Sequence, residues 1–407
     1  MSLNKLNTAL VNEVEQLKEE GRAKLPERVI TDYIPAKDGK GPRFKLEGSD
    51  KEYIRMNTNS YLDLSQHPEM IEEADHVSQR LGVGPGAVRF IDGTFKQHVD
   101  LEEKIASFCG KESAKIFNSA YTSNLALALT ISNKDTYWVG DELNHNSIIR
   151  AMRISNIPRT NRAIYKHNDM EDLRRCLESV PVEMKRVCVI FDGIFSMRGD
   201  CCPLQEIKEI CSEFDDRFEQ GVITIMDDSH GIGAYGDSGR GTEDYCGSTA
   251  DIIVGTFGKA FGVNGGFIAG SHELSEAIRQ KADTYIYTNP LSVADCAAAI
   301  RAIEIVDTED GKKRLENLKA RIAQFRNGLA ALGIESIDGP HPVVPMVIRD
   351  TEKVHKLVKA LYDDGILMVG LTFPVVPKGS ETIRAQINAG LTQSDIEYVL
   401  RSIEQNM

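Results

Sequence analysis

The hydrophobic pattern changes period several times along the chain, and those changes mark its elements. Residues 4–21 set Leu6, Ala9, Leu10, Val14 and Leu17 at helical spacing among charged positions, which predicts an amphipathic helix. Between Pro26 and about Gly48 no period survives, and the run YIPAKDGKGPRF reads as loop and β-ribbon. From residue 53 onward, short apolar runs alternate with amphipathic stretches. AKIFN (114–118), TYWV (136–139), RAIYK (162–166), RVCVIF (186–191), VITIMD (222–227), DIIVGT (251–256) and GGFIAG (265–270) predict strands. Helical periods fall between the earlier ones, around 121–130, 146–154, 169–179 and 203–214. Strands separated by helices of this length predict βαβ units and a mainly parallel seven-stranded sheet covered on both faces.

The last third changes character. Helical stretches from about Ser292 to Ile305 and from Lys312 to Leu332 precede short strands at 343–348 and 382–387, with helices near 351–363 and 393–404. The expected division is an N-terminal helix and ribbon over 1–52, a large α/β domain over 53–291, and a smaller α+β domain over 292–407. At roughly 150 residues per domain, a chain of 407 residues predicts two to three domains, which agrees.

Charge narrows the partners. With 48 Lys and Arg against 61 Asp and Glu, the net charge is −13, which repels nucleic-acid backbones and anionic membranes. No apolar run approaches the ~18 residues of a spanning helix, and the first 21 residues lack a basic stretch followed by an apolar one. A cytoplasmic protein is therefore expected. Its eight cysteines form no CxxC pair and sit mostly among apolar neighbours, as reduced thiols rather than a zinc site or disulfide framework.

Candidate chemistry concentrates in TIMDDSHGIGAYGDSGRG (224–241) and DIIVGTFGKAFGVNGGFIAG (251–270). One predicted strand ends at Asp227, with His230 three residues on in a glycine-punctuated loop. The next ends at Thr256, with Lys259 in a Gly-Lys turn. A lysine at the mouth of an α/β sheet beside a carboxylate and an imidazole suggests an amine nucleophile. A Schiff-base Lys and an Asp for the pyridinium nitrogen are the two protein groups that pyridoxal phosphate requires. Three other readings compete. A phosphate loop needs GxxxxGK[ST], but Ala260 follows the lysine and Ile253 occupies the first glycine's place. Metal ligation by Asp227 and His230 lacks a third ligand at plausible spacing. A solvated turn lysine would be the default for Lys259 without its neighbours.

With these residues in view, the sequence resembles the α-oxoamine synthases, fold-type I pyridoxal-phosphate transferases that condense an amino acid with an acyl-CoA. The likeness runs from about residue 5 to 404. It rests on VRFIDGTFKQHVDLEEKIASF (88–108), DELNHNSIIRAMR (141–153), FDGIFSMRGD (191–200), DDSHGIGAYGDSGRG (227–241), GTFGKAFG (255–262) and FPVVPKGSETIRAQINA (373–389). Within the family it is most similar to the glycine C-acetyltransferases. The resemblance implies pyridoxal phosphate as cofactor and a homodimer with shared active sites. Lys259 would carry the cofactor and move the Cα proton; Asp227 would pair with the ring nitrogen, His230 with the ring oxygen, and His145 would stack on the ring.

The same resemblance puts Ser196 beside the cofactor oxygen and substrate carboxylate, and the phosphate against the amides of Ala120 and Tyr121. Thr256 would add a hydroxyl, and Thr288 would reach the neighbouring subunit's phosphate. Asn59, Ser60 and Arg384 would meet the substrate, with Arg384 as a bidentate fork for its carboxylate. Two departures stand out: Ser60 replaces an asparagine of the acetyltransferase type, and Ala120-Tyr121 replaces a Cys-Phe pair. The implied reaction joins glycine to acetyl-CoA, giving 2-amino-3-oxobutanoate and CoA; run in reverse for threonine breakdown, it yields glycine and acetyl-CoA. The alternatives are serine with a long acyl-CoA, alanine with pimeloyl-CoA, a plain aminotransferase, and a lysine-less non-catalytic subunit, which Lys259 argues against.

Overall fold

Seven apolar segments, each flanked by turn residues, pair into one sheet. They are β1 (Ser113–Phe117), β2 (Thr136–Asp141), β3 (Arg162–Tyr165), β4 (Arg186–Asp192), β5 (Val222–Asp227), β6 (Ile252–Thr256) and β7 (Gly266–Gly270). The computed structural model describes residues 2–407, and the sheet order in it is β1-β7-β6-β5-β4-β2-β3. Strands β2 to β6 pair in parallel, while β7 runs antiparallel to both β6 and β1. The exception follows from connection length. Only residues 257–265 separate β6 from β7, too few for the crossover that a parallel partner demands. The family fold expected from the sequence is therefore the observed one, a mixed and mostly parallel seven-stranded sheet.

Every residue of β2, β6 and β7 is buried, as a sheet covered on both faces requires. Trp138, Ile190, Ile225, Val254 and Ile268, from five different strands, share one apolar cluster with Leu127, Ile148 and Met152 from the covering helices. The Trp138 indole also donates to Ser132 Oγ at 3.0 Å. Such a core leaves polar groups only at the strand ends, and the carboxyl ends are where ligands bind in open α/β sheets.

The chain divides into two units, and their boundaries differ from those read from sequence. One unit holds residues 59–319 and 338–341; the other holds 2–58, 320–337 and 342–407. Residues 1–52 are thus not a separate segment. Strand Glu52–Arg55 pairs in parallel with Ile366–Leu367, and buried Asp395 accepts from Arg43 Nη2 at 2.5 Å and from the Gly41 amide at 2.9 Å. These contacts join partners more than three hundred residues apart, which no local pattern displays. The boundary at 291/292 moves for a similar reason. Helix Val293–Val306 belongs to the sheet unit, where Val293 and Ala297 cluster with Val77 of helix Pro68–Leu81.

The smaller unit also contains a three-stranded sheet, with Thr382–Gln386 central between Val343–Val347 and Val369–Leu371. Helices Pro68–Leu81, Lys96–Phe108 and His272–Lys281 have no counterpart among the predicted elements, their apolar periods being diluted by charge. Among the described residues, no helix is long and apolar enough to cross a membrane.

Ile190 is almost fully buried beside Trp138, the chain's only tryptophan. Ile190→Ala should destabilise the sheet unit by ~2–5 kcal/mol. Denaturant unfolding followed by Trp138 fluorescence would check this; an unchanged midpoint would contradict the placement of Ile190 in the core.

Candidate active site

At the carboxyl ends of the strands lies a cavity of about 230 Å³, and every residue lining it belongs to the sheet unit. Strand β5 ends at Asp227, which is 5% exposed. Asn124 Nδ2 donates to its Oδ2 at 2.7 Å and the Ser229 amide to its Oδ1 at 3.0 Å. Asp192, at the end of neighbouring β4, is its register partner. Parallel pairing puts both side chains on the same sheet face, so two buried carboxyls lie side by side. Burial pushes the Asp192 carboxyl well above the usual carboxylate range, the Asp227 charge adds to this, and Lys259 opposes it.

Asp192 in turn accepts the His145 amide at 2.9 Å. His145 caps helix Asn146–Ile154, and its Nδ1 accepts the Ser147 amide at 3.3 Å and lies 2.8 Å from Ser147 Oγ. Asn124 Nδ2 donates to that same hydroxyl at 2.9 Å, completing a polar chain from Asp227 to His145. An acceptor Nδ1 leaves the ring hydrogen on Nε2. His145 is open to solvent at the cavity mouth. Even so, the protein around its ring lowers its pKa from the ordinary imidazole value; Asp227 pulls the other way and Lys259 adds to the lowering.

Opposite this wall, Ser119 caps helix Ala120–Ile131, its hydroxyl accepting the Thr122 amide at 3.2 Å. Ser119, Ala120 and Tyr121 line the cavity, so the helix presents its N-terminal turn there, a natural seat for an anion. Gly266 makes this approach possible, because a Cβ at that position would lie 2.2 Å from the Ala120 nitrogen. Thr256, at the end of β6, donates to Gly265 O at 2.9 Å and accepts the Gly258 amide at 3.0 Å, which fixes the turn bearing Lys259.

Of the residues singled out from sequence, Ala120, Tyr121, His145, Ser196, Asp227, His230, Thr256 and Lys259 all line this one cavity. Asn59 and Ser60 do not line it. They directly precede Tyr61, whose hydroxyl is 2.7 Å from His230 Nδ1 and 3.3 Å from Asn59 Oδ1. Thr288 lies outside the lining, next to Asn118, whose amide reaches its hydroxyl at 3.4 Å. Arg384 is on the central strand of the three-stranded sheet in the other unit, opposite Pro345 and Val369. Sequence reasoning missed Ser119, Asn124, Ser147, Asp192, Ser229 and Tyr61. Asn124 carried a signal, since an amide within the apolar helix run NLALAL needs a buried partner.

The donor set fits pyridoxal phosphate. A buried carboxyl suits its ring nitrogen, an amine its aldehyde, and a helix N-terminus its phosphate. The buried Ser229 hydroxyl, which lines the cavity, has no hydrogen-bond partner among the described residues, as expected of a wall shaped for a polar ligand. Among the described residues there is no cluster of three or more His, Cys, Asp or Glu that could hold a metal.

This fold and this cavity define a fold-type I pyridoxal-phosphate enzyme. Residues 51–403 match the family described as aminotransferase class I and II. The 8-amino-7-oxononanoate synthase of Thermosipho melanesiensis is 34% identical over 97% of this chain and 96% of its own length. That of Thermoanaerobacter pseudethanolicus is 35% identical over 90% of each. A serine palmitoyltransferase from S. paucimobilis, solved with a pyridoxal phosphate–myriocin aldimine, superposes with a TM-score of 0.84 at 26% identity, covering 98% of this chain and 96% of that one. The chain belongs to the class I and II aminotransferase family and, within it, to the α-oxoamine synthases, which use pyridoxal phosphate and acyl-CoA.

Gly266→Ala should weaken pyridoxal phosphate binding roughly tenfold or more by displacing the helix N-terminus from the cavity. Titrating the absorbance of the bound cofactor would measure this, and wild-type affinity would contradict the packing argument. In the cofactor-free protein, His145 should titrate below the ordinary value of about 6.5, and Lys259→Ala should raise it. Imidazole proton NMR would read both, and a His145 titration at or above the ordinary value would count against them.

Proposed function

We propose that this enzyme joins the α-carbon of a small amino acid to the acyl group of a CoA thioester, releasing CoA. The observation that carries this reading is the convergence of Lys259, Asp227, His145 and a helix N-terminus on one cavity. When bound there, pyridoxal phosphate supplies an electron sink for negative charge at the amino acid's α-carbon. Lys259 holds the cofactor, then takes the α-proton and returns protons later in the cycle. Asp227 keeps the ring nitrogen protonated. Ser196 and His230 are assigned to the ring oxygen, and His145, uncharged, to the ring face. The amides of Ala120 and Tyr121, with the Thr256 hydroxyl, are assigned to the phosphate.

Asn59, Ser60, Arg384 and again Ser196 are assigned to the substrate and its carboxylate on the family resemblance. Thr288, outside the cavity lining, is assigned to the phosphate of a second copy, so the working form is a homodimer.

For the substrate pair, the curated relatives favour a longer acyl group over the glycine and acetyl-CoA expected from sequence. The product name 8-amino-7-oxononanoate describes a nine-carbon acid. Seven of its carbons, through the ketone, form a pimeloyl unit, and the other two are alanine without its carboxyl group. We take alanine with pimeloyl-CoA as the leading pair, giving that product, CoA and carbon dioxide. The likeness to serine palmitoyltransferase supports serine with palmitoyl-CoA as the second.

Thiol release should be measured for alanine, serine and glycine, each paired with pimeloyl-, palmitoyl- and acetyl-CoA. Release should peak at alanine with pimeloyl-CoA. A peak at glycine with acetyl-CoA would restore the acetyltransferase reading, and keto-acid exchange without any thiol release would identify an aminotransferase. Lys259→Ala should lower turnover by roughly 10³-fold or more, and Asp227→Asn nearly as much. Normal turnover by the lysine variant would overturn the assignment.

A further inference from the structure

Outside the cavity lies a buried charge cluster that the chemistry above does not use. His167 lies just beyond β3. Its Nδ1 is 3.1 and 3.3 Å from the two Asp141 carboxylate oxygens, and its Nε2 is 3.1 Å from Asp200 Oδ2. The Asp141 side chain is fully buried at the end of β2, and that of His167 is 13% exposed. A neutral imidazole has one N–H, whereas both ring nitrogens here face carboxylates that only accept. The geometry therefore calls for an imidazolium bridging two carboxylates.

The bridge spans two parts of the fold. Asp141 belongs to the sheet, while Asp200 closes the loop after β4, the loop that carries Ile194 and Ser196 on the cavity wall. Within this loop, Phe195 N bonds to Asp200 O at 3.0 Å, Gly199 N to Phe195 O at 2.7 Å and Cys202 N to Gly193 O at 3.0 Å. Those bonds shape the loop. The His167 ring also packs edge-on against Phe195, the residue before Ser196, with centroids 4.4 Å apart.

We propose that His167 is a positioning residue: the Asp141–His167–Asp200 clamp fastens the loop to the sheet and so fixes Ser196 on the cavity wall. This rests on the reading of that cavity as the active site. Titratable groups face the clamp from the surrounding elements: Asp192 of β4 is near enough to Asp141 to feel its charge, and Tyr165 feels both Asp141 and Cys202. Glu142 accepts the His167 amide at 3.0 Å, Arg198 Nε donates to Asp200 at 2.7 Å, and Asp172 accepts the Lys166 amide at 2.9 Å. Tyr165 is buried two residues before His167. Burial by itself would lower the imidazole pKa, but the hydrogen bonds to Asp141 and Asp200 outweigh it and raise the value to about 9. With the folded value above the ordinary one, the clamp's stabilisation is complete below about 6.5 and is lost as pH rises through about 9.

The test is hydrogen–deuterium exchange across residues 193–202 in the wild type, His167→Gln and Asp200→Asn, with and without pyridoxal phosphate, alongside amino-acid KM and kcat. His167→Gln should speed loop exchange roughly tenfold or more, the scale of one lost charge-assisted hydrogen bond, while β2 and β4 keep wild-type rates. It should also raise the amino-acid KM by more than it lowers kcat. In the wild type, loop protection corrected for intrinsic base catalysis should step down near pH 9. That step should vanish in His167→Gln and move to lower pH in Asp200→Asn.

Unchanged loop exchange, or exchange that rises equally across the sheet, would overturn the proposal, as would an unchanged KM with a loosened loop. Should neither variant fold, the wild-type pH step decides alone: its presence supports the clamp and its absence overturns it. A wild type that releases no thiol with any pair would defeat the functional reading while leaving the exchange result readable.

Discussion

Asp192 and Asp227 end adjacent parallel strands in register, and neither can turn away from the other. Two buried carboxyls on one sheet edge form a repulsive arrangement unless one of them keeps its proton. Burial and the neighbouring Asp227 push the Asp192 carboxyl well above the usual carboxylate range, and one of its oxygens accepts the His145 amide. The Asp227 oxygens are taken up by Asn124 and the Ser229 amide. From this pair the rest of the wall is built. Asn124 bridges to Ser147, and Ser147 fixes the His145 ring, which lines the cavity. The arrangement of this wall therefore depends on the sheet register, and a one-residue slip of β4 or β5 would turn Asp192 or Asp227 to the opposite face.

The same logic explains where sequence reading succeeded. Strand-end residues such as Asp227 and Thr256 were legible because an apolar run of fixed length must stop, and the residue that ends it lies at the carboxyl edge of the sheet. Lys259 was legible because its turn follows such a run directly and stands in company with Asp227 and His230. His230 was legible from the loop after the same strand end, whereas Ser196, like His145, Ala120 and Tyr121, was pointed to only by the family resemblance. Asn124, Ser147 and Asp192 were not, because their roles arise only when helices and neighbouring strands are brought together. The two compact units are put together by such long-range pairing too. The parallel pairing of Ile54 with Ile366 and the Arg43–Asp395 ion pair join the two ends of the chain, while the local pattern at residue 52 marks only a strand.

Cofactor chemistry and substrate choice differ in how they are encoded. In the proposed reading, Lys259, Asp227 and the helix N-terminus serve the cofactor and the amino acid's α-carbon, which are the same whatever the acyl group, and each such task calls for one kind of group at one place. An acyl chain is read by apolar contacts worth ~0.8 kcal/mol per methylene, so the five or so methylenes of a pimeloyl group amount to ~4 kcal/mol spread over many side chains. No single residue type is required for that, and no motif records it. The distal carboxylate of pimeloyl is different, because a charge must be solvated, paired or hydrogen-bonded wherever it comes to rest. Acetyl and palmitoyl make no such demand. A polar contact at the far end of the chain thus separates pimeloyl from the other two, whereas acetyl and palmitoyl differ only in the apolar surface they bury.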